Sequence, residues 1–233
     1  MSDKTPLLLI PGLLLTADLW AHAAAHLADI ADIAVTEDQR EHVSMPAIAA
    51  AILARAPERF ALAGLSMGGY VALEIMRQAP ERVARLALLD TSARADTPEQ
   101  LARRRGLIEL AQKGRFKGVT PRLLPLLVHT DRRQDRPLLE RIVKMAGEVG
   151  RDGFLRQQRA IMGRVDSRAG LSLIRCPTLV LCGRQDELTP PELAAEMASV
   201  IGGARLVLLD RCGHLSPMEM PDAVTAALRE WLG

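Results

Sequence analysis

The chain predicts an α/β fold: a mostly parallel central sheet with helices on both faces and a helical insertion. Three observations carry this reading. Short, uniformly apolar runs alternate with helical patterns at both ends of the chain, as in a parallel sheet whose crossovers are helices. One such run, Phe60–Ala63, passes into Gly64-Leu-Ser66-Met-Gly68 and at once into a helical pattern, giving a strand–turn–helix context. Between residues 91 and 175 the strand signal stops and only helical segments remain. That block reads as a cap inserted into a core made of residues 1–90 and 176–233.

In chain order, Leu7–Ile10 is a strand buried on both faces, ended by Pro11-Gly12. Leu13–Thr16 is a loop, Ala17–Leu27 a helix containing Trp20, and Ile30–Val35 a second strand. Pro46 opens an Ala-rich helix that Pro57 closes near Ala56. Phe60–Ala63 is followed by a helix over Met67–Ala79, and Val83–Leu89 is a strand ending at Asp90. The insertion carries helices at Pro98–Lys113, Pro121–Val128, Pro137–Val149 and Gly153–Arg164. Strand Thr178–Leu181, helix Pro190–Ile201, strand Ala204–Leu209 and helix Pro217–Leu232 complete a sheet of about six strands.

At 233 residues, the chain can bury the core of one domain. Hydrophobic content of 48% and charged content of 25% place it among globular proteins. A net charge of +2 points to no partner, and 3% aromatics argue against a stacking surface for nucleic acid. Met1–Pro6 has no signal pattern and no apolar run reaches membrane-spanning length, so the expectation is a cytoplasmic protein without membrane insertion. Cys176, Cys182 and Cys212 cannot all pair and show no metal-ligand spacing, which suits free thiols. His22 and His26 share a helix face but lack a third ligand. Neither metal nor cofactor is expected, and no phosphate-cradling or dinucleotide motif is present.

Ser66 is the residue the motif points to. A serine on a tight strand-to-helix turn crowds its neighbours, and Gly64 and Gly68 remove the side chains that would clash. The Met67 N–H lies in the first helical turn, where donors are unpaired and the helix dipole favours an anion.

With its flanks, the chain resembles the α/β-hydrolase superfamily, of the serine esterase type. Leu7–Trp20, Gly64–Gly69, Cys176–Thr189 and Gly213–Pro221 match family landmarks in family order. The resemblance implies a chain order of serine, acid, histidine. His214, in Gly213-His-Leu-Ser-Pro217, matches the histidine loop, and Asp186, in Gly183-Arg-Gln-Asp-Glu-Leu-Thr-Pro190, the acid loop. Asp90 is the alternative acid, favoured less and read as bonding local backbone. The oxyanion donors implied are the backbone N–H groups of Met67 and Leu13, with Leu14 as fallback, because Pro11-Gly12-Leu13 replaces the usual His-Gly-x. Leu14, Trp20 and Leu215 are pocket candidates. The implied activity is hydrolysis of a small carboxylic ester. The same residues also suit lactone or carbon–carbon hydrolysis or perhydrolysis, and a hydrolase-like receptor is the reading from another class.

Residues 91–175 hold 19 Lys+Arg against 9 Asp+Glu, a net of +10, while the rest carries −8. Solvated arginines account for such a count. The sharper expectation follows from similarity to the pimeloyl-carrier methyl ester esterases, whose basic caps receive an acidic acyl carrier protein. It places carrier contacts at Arg151, Arg156 and Arg159.

Overall fold

The computed structural model describes residues 4–120 and 123–233. Six parallel strands form one sheet in the order β2-β1-β3-β4-β5-β6. They are β1 (Thr5–Ile10), β2 (Ala31–Val35), β3 (Phe60–Leu65), β4 (Val83–Leu89), β5 (Thr178–Gly183) and β6 (Arg205–Leu209). Side chains alternate across the pleat. Leu7 and Leu9, Ala61, Ala63 and Leu65, and Leu179 and Leu181 face one apolar layer. Leu8 and Ile10, Phe60 and Leu62, and Val180 and Cys182 face the other. Both faces are covered, which is why the central strands read as unbroken apolar runs.

Helices α1 (Ala21–Leu27) and α9 (Pro221–Leu232) cover the first face. Helices α2 (Met45–Arg55), α3 (Met67–Gln78) and α7 (Pro191–Val200) cover the second. Ser44 caps α2 by accepting the Ala47 N–H, and Pro46 sits in the first turn, where a missing N–H costs nothing. Strand order reverses between β1 and β3. At such a switch point the connections leave in opposite directions and open a crevice at the strands' C-terminal ends. The loop after β1 and the turn after β3 both open there.

Between β4 and β5 the described chain contains helices and no strand. These are α4 (Pro98–Leu110), α5 (Leu124–Leu127) and α6 (Arg136–Met162). Part of the expected Pro121–Val128 helix lies outside the described residues. The two helices expected over Pro137–Val149 and Gly153–Arg164 are both present within α6, which is kinked between them at Gly150, where φ 66 and ψ −179 are not helical. Conversely, the helix expected over Pro217–Leu232 is broken. Met220 leaves helical geometry before Pro221, separating α8 (Ser216–Glu219) from α9, because proline pushes its predecessor out of the α region. Ala17–Trp20 is likewise a 3-10 turn ahead of α1.

The charge imbalance is partly resolved inside the molecule. Three arginines of the helical segment pair with acids outside it: Arg94 with Glu196 at 2.9 Å, Arg141 with Asp18 at 2.9 Å and Arg133 with Glu187 at 3.3 Å. The first two are two-pronged, a geometry that only a guanidinium offers a carboxylate.

Candidate active site

Ser66 joins β3 to α3 with its backbone at φ 55, ψ −116, which a side-chain-bearing residue adopts only under constraint. The constraint is visible. The Ser66 N–H donates to the Leu89 carbonyl at 3.0 Å, and the Thr91 hydroxyl donates to the Ser66 carbonyl at 2.7 Å. A Cβ on Gly64 would lie 2.2 Å from the Gly68 carbonyl oxygen. One on Gly68 would lie 2.1 Å from the Ile10 carbonyl oxygen. Both glycines are required by close backbone approach, and for Gly68 the neighbour is β1, not the turn itself.

The loop after β6 brings His214 to this turn. Its Nε2 lies 2.9 Å from the Ser66 hydroxyl oxygen, and its Nδ1 lies 2.8 Å from a carboxylate oxygen of Asp186. Asp186 stands just past β5 and also accepts the backbone N–H groups of Leu188 and Thr189 at 2.8 and 3.0 Å and the Thr189 hydroxyl at 2.7 Å. The acid and the imidazole are 3% and 4% exposed, so solvent screens their interaction little. Burial alone would push the Asp186 carboxyl up. The charge and hydrogen bond of His214, with the Thr189 bonds, outweigh it and hold the carboxyl below its ordinary value. Burial alone would push the His214 ring down, and the Asp186 charge and hydrogen bond outweigh it and hold the ring above its ordinary value.

Asp90 does not bond local backbone as expected. One oxygen accepts the Gly183 N–H, 93 residues away, at 2.9 Å, and the other receives the Ser216 hydroxyl. Burial, and then the neighbouring Asp186 charge, push its carboxyl up to about 8. Two carboxyls in one buried site take opposite states, with Asp186 ionised and Asp90 protonated at neutral pH. Donor atoms of Asp90, Cys182 and Asp186 lie within 4.8 Å of one another. Burial also raises the Cys182 thiol, so two of the three hold protons and the third is committed to His214. All three cysteines are free thiols.

The sequence reading missed Glu219. It is 2% exposed. Its carboxylate accepts the N–H groups of Gly213 at 3.0 Å, Leu215 at 3.2 Å and His129 at 2.6 Å. It therefore clamps both flanks of His214 and ties them to the helical segment. The Leu127 carbonyl accepts the His214 and Leu215 N–H groups from the same side. A glutamate five residues past the histidine was the available signal, but its partners are backbone groups that no side-chain pattern marks.

In the loop after β1, the Leu14 N–H is taken by the Gln157 carbonyl oxygen of α6 at 3.1 Å, which removes the fallback oxyanion donor. Among the described residues, neither the Leu13 nor the Met67 N–H donates to a protein acceptor. Of the pocket candidates, Leu14, Trp20 and Leu215 are all buried, Trp20 and Leu215 completely. A groove of about 420 Å³ lies elsewhere, at the β2 edge between Val35, Arg40 and Arg55, and contains none of Ser66, Asp186 and His214. The three arginines singled out for carrier contact differ. Arg151 pairs with Asp152 at 2.9 Å, and Arg156 is half-buried and donates to the Arg40 carbonyl at 2.6 Å. Arg159 is exposed.

The chain belongs to the alpha/beta hydrolase family, whose model matches residues 7–227. It is a hydrolase by that membership. Among its relatives is a pimeloyl-[acyl-carrier protein] methyl ester esterase of Nitrosomonas europaea, 31% identical over 72% of this chain and 69% of that one. A 2-hydroxy-6-oxo-6-phenylhexa-2,4-dienoate hydrolase of Comamonas testosteroni is 26% identical over 82% of this chain and 68% of that one. Among solved structures, a thermophilic esterase from Thermogutta terrifontis, malate bound, superposes with a TM-score of 0.88 at 32% identity, covering 100% of this chain and 90% of that one. No helix among the described residues is long and apolar enough to cross a membrane.

Proposed function

We propose that this hydrolase is a serine esterase acting on small carboxylic esters. The observation that supports it most is the continuous relay from Asp186 through His214 to the Ser66 hydroxyl, at 2.8 and 2.9 Å. Residues 91–175 act as the cap of the site. Ser66 attacks the ester carbonyl, its proton passes to His214 Nε2, and the carbonyl electron pair moves onto oxygen. The Leu13 and Met67 N–H groups receive that oxyanion. Collapse breaks the bond to the alkoxy group, which leaves as the alcohol with the proton from His214. Water then repeats the sequence on the acyl-enzyme, giving up its proton to His214 and releasing the acid. Asp186 keeps the ring in the tautomer that presents Nε2 as acceptor and stabilises the imidazolium.

Ser66→Ala tests the reading. Turnover of p-nitrophenyl acetate should fall by at least about 10³-fold while the thermal midpoint stays close to that of the parent. Retained turnover would end the assignment. A second reading, carbon–carbon hydrolysis with the same groups, is favoured by the name of the Comamonas relative. A panel containing esters, lactones and a vinylogous diketone separates the two. The name of the Nitrosomonas relative suggests a carrier-borne ester as substrate. Support at this surface rests on exposed Arg159, since Arg151 and Arg156 are engaged within the chain. A carrier-borne ester should lose rate steeply with salt, and a neutral ester should not.

A further inference from the structure

Gln157 is completely buried, yet only half of its amide is used. Its carbonyl oxygen accepts the Leu14 N–H at 3.1 Å, and its Nε2 has no partner among the described residues. A buried amide with an unpaired donor is a poor way to stabilise a core, where an apolar side chain of equal size would do better. The residue it holds is also unusual. Leu14 stands at φ 60, a left-handed conformation that a leucine leaves unless something keeps it there. Leu14 lies one residue past the amide assigned to the oxyanion, and this loop rides on the serine turn. A Cβ on Gly12 would lie 3.2 Å from Ser66 Cβ.

We propose that Gln157 is a positioning residue for the oxyanion loop. By accepting the Leu14 N–H, it keeps Leu14 left-handed and so holds the preceding Leu13 N–H free and directed at the reacting carbonyl. This rests on the esterase reading above and deepens it. Because Gln157 belongs to α6, the helical segment between β4 and β5 completes the oxyanion site as well as covering it. Without this bond Leu14 relaxes toward negative φ and the Leu13–Leu14 peptide turns, which shifts Leu13 and with it the N–H that Leu13 offers.

The test uses Gln157→Met, which keeps the volume, and Gln157→Asn, which keeps the amide but is one methylene short of Leu14. Both should lower kcat on p-nitrophenyl acetate by about 10- to 100-fold, with KM changed less than about threefold. Phosphonylation of Ser66 by a fluorophosphonate should slow in parallel, since its phosphoryl oxygen occupies the same site. The thermal midpoint of Gln157→Met should stay within a few degrees of the parent. Adding Leu14→Gly should restore much of the lost kcat, because glycine adopts φ 60 without help. A merely structural role would give the opposite: a lowered midpoint, loss shared by KM, and no rescue. Unchanged kcat in both variants, with Ser66→Ala inactive, overturns the proposal and leaves the esterase reading intact. An active Ser66→Ala removes the reading itself. Should one variant fail to fold, the other carries the same comparison.

Discussion

His214 has two demands on it. In the proposed mechanism it must be neutral to take the Ser66 proton, yet it sits against a carboxylate that favours its charged form. The ring is held above its ordinary value, which places the rising limb of kcat/KM against pH above about 6.5. Below that limb the imidazolium has no site for the serine proton, and above it the base is free. Asp186→Asn removes the charge and leaves the burial, which acts in the opposite direction. The midpoint should therefore move down, and kcat should fall by about 10³-fold or more as the ring loses its orienting partner. A midpoint that stays in place in that variant would show that Asp186 does not set the ring's affinity for protons. Ser66, Asp186 and His214 could be read from sequence because each sits in a short local pattern. Thr189, Glu219 and Gln157 could not. Each acts through a hydrogen bond, and for Glu219 and Gln157 the partners are backbone N–H groups brought close by folding.

At the scale of elements, the serine turn shows how packing decides what a glycine is for. Gly68 lies where α3 starts against β1, and a methyl group there would sit 2.1 Å from the Ile10 carbonyl oxygen. Gly106 lies inside α4 with nothing within 4 Å of the same methyl group. The same chemical change should have opposite signs. Gly68→Ala should cost at least about 3 kcal/mol and lower the thermal midpoint by about 6–12 °C, or abolish folding. Gly106→Ala should be neutral or gain up to about 1 kcal/mol from helix propensity. Paired melts decide the matter, and equal small effects would mean that β1 and α3 have room to separate. Element boundaries were legible where a proline or a buried run marked them, as at Pro46 and Pro57. The break at Pro221 carried the same mark, which the single helix expected over Pro217–Leu232 did not use. The kink at Gly150 was marked too, since glycine takes φ 66 without the steric cost of a side chain.

For the whole molecule, the buried carboxyls couple stability to pH. Asp90 is pushed up to about 8, whereas an unfolded aspartate titrates near 3.9. Between these values the unfolded chain releases the proton and the folded chain keeps it, so rising pH favours unfolding. This group's contribution is full below the unfolded value and is lost as pH climbs through about 8. Asn can accept the Gly183 N–H on its oxygen and, with the Ser216 hydroxyl turned to accept instead of donate, bond it through its amide, and it does not titrate. The stability of Asp90→Asn relative to the parent should therefore rise from pH 5 to pH 8. Chemical denaturation of both proteins at the two values reads this directly, and a constant difference would mean that Asp90 is ionised throughout. The charge division between residues 91–175 and the rest also acts at this scale. Arg94, Arg133 and Arg141 spend part of it on acids outside that segment.

Read alone, the sequence determined a mostly parallel sheet of about six strands with helices on both faces, and singled out the three side chains that the fold places in contact. The strands and Ser66 follow from local periodicity and the motif around the serine, and Asp186 and His214 from the resemblance of their loops to those of the α/β-hydrolase superfamily. Tertiary structure alone decided which second residues hold them. Asp90 meets Gly183 of the neighbouring strand β5 and Ser216, Glu219 reaches back to His129, and Gln157 crosses from α6 to Leu14. The physical reason is that a backbone N–H looks the same at every position in a sequence. Which buried acceptor it meets is set only when folding brings together residues that are far apart in the chain.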